Sequence, residues 1–421
     1  MESSGDWTAF FEVFSTASNQ SVCSTIVSET DCVLVASGEH KIVVRDFTNN
    51  HIGSYALFLQ RLNNPVGCAS MSFGALPIPG TVSAAAEIDC FMVDATIGDR
   101  IRTRVVETAG KNLTIHFEIM RPDGTSLCST VVGEKDCHID QTGPQIILVK
   151  DFDGTTTGDY SLYVQRLNEP AGCAALSFGA LPAIAQIKVA AEVDCYTFPG
   201  VANDTVRIRA IETDNGPLSL FFELFDPAGG SVCSEINPEQ TCTLSVDGQY
   251  MLLTKDFAGT KTGDYSLYLQ RLNSPVGCAS LGLSGGQSTI EVAAQVNCYT
   301  FQATGNGDVT LNVHEEAGQL SAYSEIVRPD GTTACETILA DLTCTLSGSG
   351  VHTILVDDFS GIYTGTYQIT LQCPAGNCRF AATPTPTQTP LPTLTQTPVP
   401  PTGTPSPTEN ANKVFVPLVS R

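Results

Sequence analysis

Apolar and polar residues alternate with a period of two in short runs, and the same runs return along the chain. Residues 55–63, 160–168 and 265–273 read Tyr-Ala-Leu-Phe-Leu-Gln-Arg-Leu-Asn, Tyr-Ser-Leu-Tyr-Val-Gln-Arg-Leu-Asn and Tyr-Ser-Leu-Tyr-Leu-Gln-Arg-Leu-Asn. Tyr, Leu and Leu or Val alternate with Ser, Tyr and Gln, so each run is a strand with one apolar face. Residues 71–76, 90–95, 101–108, 113–120 and 146–149 also read as strands. Turn chemistry separates them, as in Pro-Asp-Gly at 122–124 and 329–331, Asp-Pro-Ala-Gly at 226–229 and Thr-Gly-Asp at 157–159. Helical i, i+3, i+4 patterning is nowhere sustained. Short strands punctuated every 8 to 12 residues or so predict an all-β chain of jelly-roll-like β-sandwich modules.

Cysteines set the period. A pair nine residues apart recurs at Cys23/Cys32, Cys128/Cys137, Cys233/Cys242 and Cys335/Cys344, in steps of 105, 105 and 102 residues. That step is too long for a solenoid repeat and matches one globular domain, so each copy is able to bury its own core. Breakers follow the closing strands at Asn64-Pro65, Glu169-Pro170 and Ser274-Pro275, and place the modules at 1–64, 65–169, 170–274 and 275–379. The run 8–14 of copy one aligns with 114–120, 219–225 and 321–327, which lie in mid-module, so copy one is expected to be a partial repeat. From residue 381 the text turns to Thr-Pro repeats with almost no charge, which predicts a disordered Thr/Pro-rich stalk over 380–412. A short apolar tail, 413–421, follows.

These segments carry a family likeness. Residues 194–198 (Asp-Cys-Tyr-Thr-Phe), the apolar strand near 206–211, 222–229 (Phe-Glu-Leu-Phe-Asp-Pro-Ala-Gly), 247–251 (Asp-Gly-Gln-Tyr-Met) and 262–269 (Thr-Gly-Asp-Tyr-Ser-Leu-Tyr-Leu) resemble the bacterial pre-peptidase C-terminal (PPC) domain. The order is the same: a D-x-Y-x-F strand, a strand ending in a D-P or D-G turn, a D-G-x-Y strand and a T-G-x-Y closing strand. The likeness implies a jelly-roll-like sandwich that serves as a non-catalytic accessory of secreted proteins, often downstream of a peptidase. Two departures stand out: the cysteines, which that family generally lacks, and Asn297 in place of the first-strand Asp.

Lys plus Arg number 21 against 44 Asp plus Glu, a net charge of −23 that argues against nucleic acid or an anionic membrane as partner. No apolar run approaches the roughly 18 residues of a spanning helix. The first residues lack a basic and an apolar stretch, yet sixteen regularly spaced cysteines point to an oxidising compartment. The expectation is an extracellular or cell-surface protein whose signal peptide precedes the partial first copy. Leu391 to Thr395 superficially matches a sortase signal but lacks the Gly and the hydrophobic tail, so that reading is rejected.

Two pairings of the cysteines are open. One joins neighbours: 23/32, 68/90, 128/137, 173/195, 233/242, 278/298, 335/344 and 373/378. The other spans a module, as Cys90–Cys173, Cys195–Cys278 and Cys298–Cys378, and strands Cys68 and Cys373. Cys373, which has no counterpart in the other copies, gives Cys378 a partner and favours the first; non-reducing peptide mapping decides. Zinc held by thiolates needs short C-x2-to-4-C pairs close together, and Cys373/Cys378 stands alone.

Candidate chemistry is sparse. The six histidines, 40, 51, 116, 138, 314 and 352, occupy unrelated positions in the repeat. The one nucleophile-elbow match, 282–286 with Ser284, has Gly179 at the equivalent site of copy two and no helix pattern behind it. Asp46, Asp151, Asp256 and Asp358 recur, each before a Phe (47, 152, 257, 359). Asp151, Asp153 and Asp159 form a candidate calcium set, against a turn whose Asp accepts backbone N–H bonds while the Phe packs inward; a melt with and without chelator separates the two. Glu12, Glu118, Glu223 and Glu325 recur on the face opposite a core Phe, and either pair with a basic residue on a neighbouring strand, are solvated, or line a groove. The lone Trp7 and 7% aromatics give no stacking stripe for sugars. The reading is therefore a non-catalytic array that spaces, adheres or binds, with an extracellular protein or polysaccharide as partner. No cofactor is expected apart from the candidate calcium. The alternatives are the accessory region of a secreted peptidase and a carbohydrate-binding array.

Overall fold

A computed structural model describes residues 2–4, 8–26, 29–110, 112–213, 216–236, 238–282, 285–373 and 378–379. Trp7, Ser284, the Thr/Pro-rich stalk and the apolar tail lie outside them. Among the described residues every regular element is a strand.

Copy three shows the plan. Its five-stranded sheet runs Ala174–Ala175, Val193–Gly200, Gly248–Asp256, Leu220–Phe225, Ser231–Glu235, and its four-stranded sheet Ala183–Ile187, Gly263–Arg271, Thr205–Glu212, Glu239–Thr243. All neighbours are antiparallel except the two-residue edge at 174–175, which runs parallel to Tyr196 and Thr197. Tyr196, Phe198, Phe222, Leu224, Tyr250 and Leu252 meet Val206, Ile208, Leu267 and Leu269 between the sheets. Each fully buried Leu or Phe of this layer contributes roughly 1.5–3 kcal/mol. Copies two and four repeat both sheets, and copy four adds Cys378–Arg379 against Gln302 and Ala303.

Bridges and hydrogen bonds tie the layers. Cys233–Cys242 links the edge strand of one sheet to that of the other, while Cys173–Cys195 fastens the short parallel edge to its neighbour. Cys128–Cys137 and Cys68–Cys90 do the same in copy two, Cys335–Cys344 and Cys278–Cys298 in copy four. Cys23–Cys32 lies in copy one, and Cys373–Cys378 closes the last loop. Across the sandwich the Tyr265 hydroxyl donates to Asp194 at 2.6 Å and Tyr160 to Asp89 at 2.6 Å; in copy four the Asn297 amide donates to the Tyr367 hydroxyl at 2.9 Å.

Two expected strands are absent. Residues 71–76 form a turn at Gly74 (φ +68°), whose N–H donates to Val164 O, while Met71 and Phe73 plug the end of the core. The apolar positions there serve packing outside any ladder. In copy one only Tyr55 of the run 55–63 is strand, as the end of Ser54–Tyr55, which pairs with Glu2–Ser4. In the other copies this strand lies between two partners; among the described residues of copy one those partners are missing. The remaining sheet of copy one has three strands, Ser21–Thr25, Ala9–Ser15 and His40–Asp46.

Candidate functional site at the module junctions

A strand with alternating faces has an outer face as well as a core face, and in this chain the outer face meets the next copy. On the closing strand of copy two, Tyr160, Leu162 and Val164 enter the core, which turns Tyr163 and Gln165 outward. On Arg100–Gly110, Ile101 and Val105 enter the core and Arg102 and Arg104 point outward. The five-stranded sheet of copy three receives them. Tyr163 and Leu167 pack on Val193, Cys195, Phe225, Met251 and Leu253. The junction between copies three and four repeats this with Ile211, Tyr268 and Leu272 on Val296, Cys298, Val327 and Leu355.

An ionic frame surrounds each apolar patch. Arg102 donates to Glu223 at 2.5 Å, holds Asp136 through two nitrogens at 2.7 and 2.9 Å, and lies over the Phe225 ring at 5.0 Å. Arg104 donates to the carbonyls of Asp256 and Phe257 at 2.9 and 3.1 Å, and Lys255 pairs with Glu134 at 2.6 Å. One junction on, Arg207 pairs with Glu325, and Arg209 donates to Asp358 O at 2.5 Å while contacting Asp357 at 2.6 Å. Gly259 (φ +83°) is required twice over: its backbone is left-handed, and a Cβ there would stand 2.4 Å from the Arg104 guanidinium. Burial pushes Lys255 down to about 8, against the pull of Glu134. Burial pushes Asp357 up to about 7, against Arg209.

The recurrent Gln-Arg-Leu-Asn text is the hinge-side half of the same construction. Gln165 donates to the sulphurs of Cys173 and Cys195 at 3.4 Å, and Leu167 joins the apolar patch. Asn168 accepts from Arg100 N and donates to Gly98 O. Arg166 donates to the carbonyl of Glu169, which has φ +50° before Pro170, as Arg271 does to Ser274 (φ +49°) and Arg61 to Asn64 (φ +47°). Each junction is thus held in a conformation that L residues rarely adopt. The junction between copies one and two is thinner: Leu62 meets Met120, Ile146 and Leu148, and Glu29 pairs with Lys150.

The sequence-derived candidates fall as follows. Glu223 and Glu325 bind arginines of the preceding copy, not a basic residue of a neighbouring strand, and Glu325 also accepts from the Thr333 hydroxyl on the adjacent strand. Asp151 spends both oxygens on the N–H groups of Thr114, Thr155 and Thr156; Asp46, Asp256 and Asp358 bracket their loops in the same way. Asp153 is exposed and Asp159 accepts from Thr81 at 2.7 Å, so the three carboxylates of the candidate calcium set do not converge. Phe47, Phe152, Phe257 and Phe359 do not pack inward. They are half or more exposed, each lying beside an aromatic ring of the adjacent strand: Phe10, His116, Phe221 and Tyr323. Among the described residues no group of three or more His, Cys, Asp or Glu is placed to hold a metal. His352 is buried against Phe301 and His116 stands beside Phe152; burial pushes both below the usual imidazole range.

A cavity of about 250 Å³ opens beside the junction of copies two and three, lined by Gly74, Pro77, Tyr163, Lys188, Glu192 and Asp194 among others. Burial pushes Asp194 up to about 6. Tyr163 Oη and Gln165 Oε1, both buried, have no partner within the protein, whereas at the next junction Tyr268 donates to Gln270 at 2.9 Å. Sequence reasoning missed the junctions. Their signal was the unbroken apolar runs 146–149, 251–253 and 354–356, the mark of strands covered on both faces.

Fold and junctions together define an all-β array of repeated, disulfide-braced β-sandwich modules stacked sheet on sheet. No family model matches the chain, and no curated protein matches it. Solved structures similar to it include the M60 catalytic domain with the CBM51-1 and CBM51-2 domains from Clostridium perfringens ZmpB, at 8% identity and TM-score 0.15 over 64% of this chain. The chain spans about half of that structure, 55% of its length. The CUB1-EGF-CUB2 domain of human MASP-1/3 aligns at 10% identity and TM-score 0.15, covering 45% of this chain and 99% of that one. Tripeptidyl Peptidase 2 aligns at 8% identity and TM-score 0.16, covering 76% and 35%. Similarity at this level bears on neither the activity nor the ligand. Among the described residues no helix is long and apolar enough to cross a membrane.

Proposed function

We propose that the chain is a non-catalytic, secreted or cell-surface spacer of PPC-like modules, whose stacking holds whatever it carries at a set distance and orientation. The observation that carries this reading is the fate of the repeated side chains. Arginines, glutamates, the Gln-Arg-Leu-Asn text and the cysteines all go to strands, bridges or junctions, and none assembles an acid–base or nucleophilic constellation. All sixteen cysteines are bridged, which suits an oxidising compartment. X-ray scattering from the intact chain is the test: a stiff module region is expected, softened by Arg102→Ala with Arg207→Ala. A profile of freely jointed modules in the unsubstituted chain would remove the spacer reading.

One observation favours a second reading, a carbohydrate-binding array. The cavity beside Tyr163 gathers acceptors and an unpaired hydroxyl, a setting for a polyhydroxylated ligand with several donors. Glycan-array binding by the intact chain that is lost in Tyr163→Phe supports it; no glycan retained by either protein rules it out.

A further inference from the structure

Among the described residues, copy one displays the receiving face without a donor. Phe10, Glu12, Phe14, Val43 and Arg45 occupy the register positions of Phe221, Glu223, Phe225, Leu253 and Lys255: Glu12 lies opposite Val43 as Glu223 lies opposite Leu253, and Phe10 opposite Arg45 as Phe221 opposite Lys255. In copy three that set takes Arg102 on Glu223 and Phe225, Glu134 on Lys255, and Arg104 on the carbonyls of Asp256 and Phe257. Among the described residues no cation pairs with Glu12. The cations of copy one stand in the docking positions instead. Arg45 donates to the carbonyls of Asp46 and Phe47 at 3.2 and 3.3 Å, where Arg104 donates in copy three, and Lys41 covers Phe14 at 5.4 Å as Arg102 covers Phe225; Arg45 also covers the Phe10 ring at 4.4 Å, as Lys255 covers Phe221.

The opposite end offers no complement. On the outer face of copy four, Thr310, Asn312 and Thr370 take the register positions of Arg207, Arg209 and Tyr268, since Val309 pairs with Cys344 as Val206 does with Cys242, and Asn312 with Thr370 as Arg209 with Tyr268. The Arg-x-Arg strands at 102/104 and 207/209 are already covered by the following copies.

We infer that the sheet of copy one is an acceptor surface for a further β-sandwich module whose exposed strand presents Arg-x-Arg beside an acidic edge strand. A second copy of this chain is not that partner, because its own Arg-x-Arg strands are occupied and its copy-four face lacks them. Docking exchanges the intramolecular Arg45 contacts for an incoming guanidinium on Glu12, and leaves Arg45 to meet the acid of the partner's edge strand. The stacking is therefore directional, with an acceptor at the copy-one end and a face without a clamp at the copy-four end.

The test rebuilds the donor on the intact chain. Thr310→Arg, Asn312→Arg and Thr370→Tyr together give copy four the clamp of copy three, so the copy-four face of one molecule then matches the copy-one face of the next. Sedimentation velocity should show a monomeric unsubstituted chain and head-to-tail oligomers of the variant that grow with concentration and dissolve in salt. Adding Glu12→Arg should return the variant to monomer. A folded variant that stays monomeric at micromolar concentration overturns the inference, as do oligomers that survive Glu12→Arg or an unsubstituted chain that self-associates through this face. Circular dichroism checks each fold; if the triple variant fails to fold, Thr310→Arg with Asn312→Arg carries the same test.

Discussion

The junction between copies two and three brings three cations, Arg102, Arg104 and Lys255, against three anions, Glu134, Asp136 and Glu223. The junction between copies three and four has Arg207 and Arg209 against Glu239, Glu325 and Asp357. Two positions account for the change: Thr241 stands where Asp136 stands, and Asp357 where Lys255 stands. The first frame is neutral as written. The second carries one acid too many for its burial, and Asp357, pushed up to about 7, is the group able to take the neutralising proton. The clamp of guanidinium, carboxylate and loop carbonyl is thus the shared requirement, while the flanking charge is free to change sign provided the buried sum returns to zero.

The largest expected effect tests the clamp itself. Arg207→Ala leaves Glu325, with its side chain 1% exposed, without its cation, and should cost about 3–5 kcal/mol in local stability at copy four. Arg102→Ala should cost less, because the Glu223 side chain keeps 13% exposure and water reaches it. Hydrogen exchange over 322–327 and 220–225 reads the two. Equal losses would show that burial does not set the clamp strength.

Next in size is the pH response, which should separate the junctions by sign. Between the unfolded carboxylate value of about 3.9 and about 7, the native chain holds a proton on Asp357 that the unfolded chain has lost. Stability of the third junction therefore falls by up to a few kcal/mol as pH rises through that window, and levels off above it. Lys255 acts in the other direction and elsewhere: between about 8 and the unfolded value of about 10.4 the unfolded chain holds the proton, so stability rises with pH. Asp357→Asn should flatten the first response and leave the second; a copy-four exchange profile still falling between pH 4 and 7 in that variant would assign the response to another group.

The smallest effects concern the glycines. Gly259→Ala puts a methyl carbon 2.4 Å from the Arg104 guanidinium and should lift it off its carbonyls, at about 1–3 kcal/mol. Gly361→Ala meets the Ile211 side chain first, at 2.6 Å, with the Arg209 guanidinium farther off at 3.0 Å, and should cost less since the Ile211 methyl group is able to turn aside. Thermal unfolding of both variants gives the order; a reversed order would mean that backbone strain outweighs the contact.

Much of the sandwich was legible in the chain. Period-2 alternation over 160–166 and the Pro-Asp-Gly turns place strands and reversals, because core and solvent impose opposite demands on successive residues. The junctions were harder to read for the same reason. Alternation correctly turned Glu223 away from Phe222, but an outward carboxylate looks the same in sequence whether it meets water or an arginine of the preceding copy. The apolar pair Met251 and Leu253, on that same outward face, distinguishes the two cases. Residues 71–76 were misread because a short apolar segment packs equally well as a plug without a ladder, and Gly74, whose backbone lies against Ala171 O, decides for the plug.

One bridge has a consequence in time. Cys195 is 8% exposed inside the apolar patch between copies two and three, and Gln165 of the preceding copy lies on both sulphurs of the Cys173–Cys195 bond. A soluble thiol has to wait for the sheets to part before it reaches that bond. The rate at which a mild reductant cleaves this bridge, with Cys233–Cys242 as the internal reference, is therefore a clock for how often two neighbouring modules let go of each other.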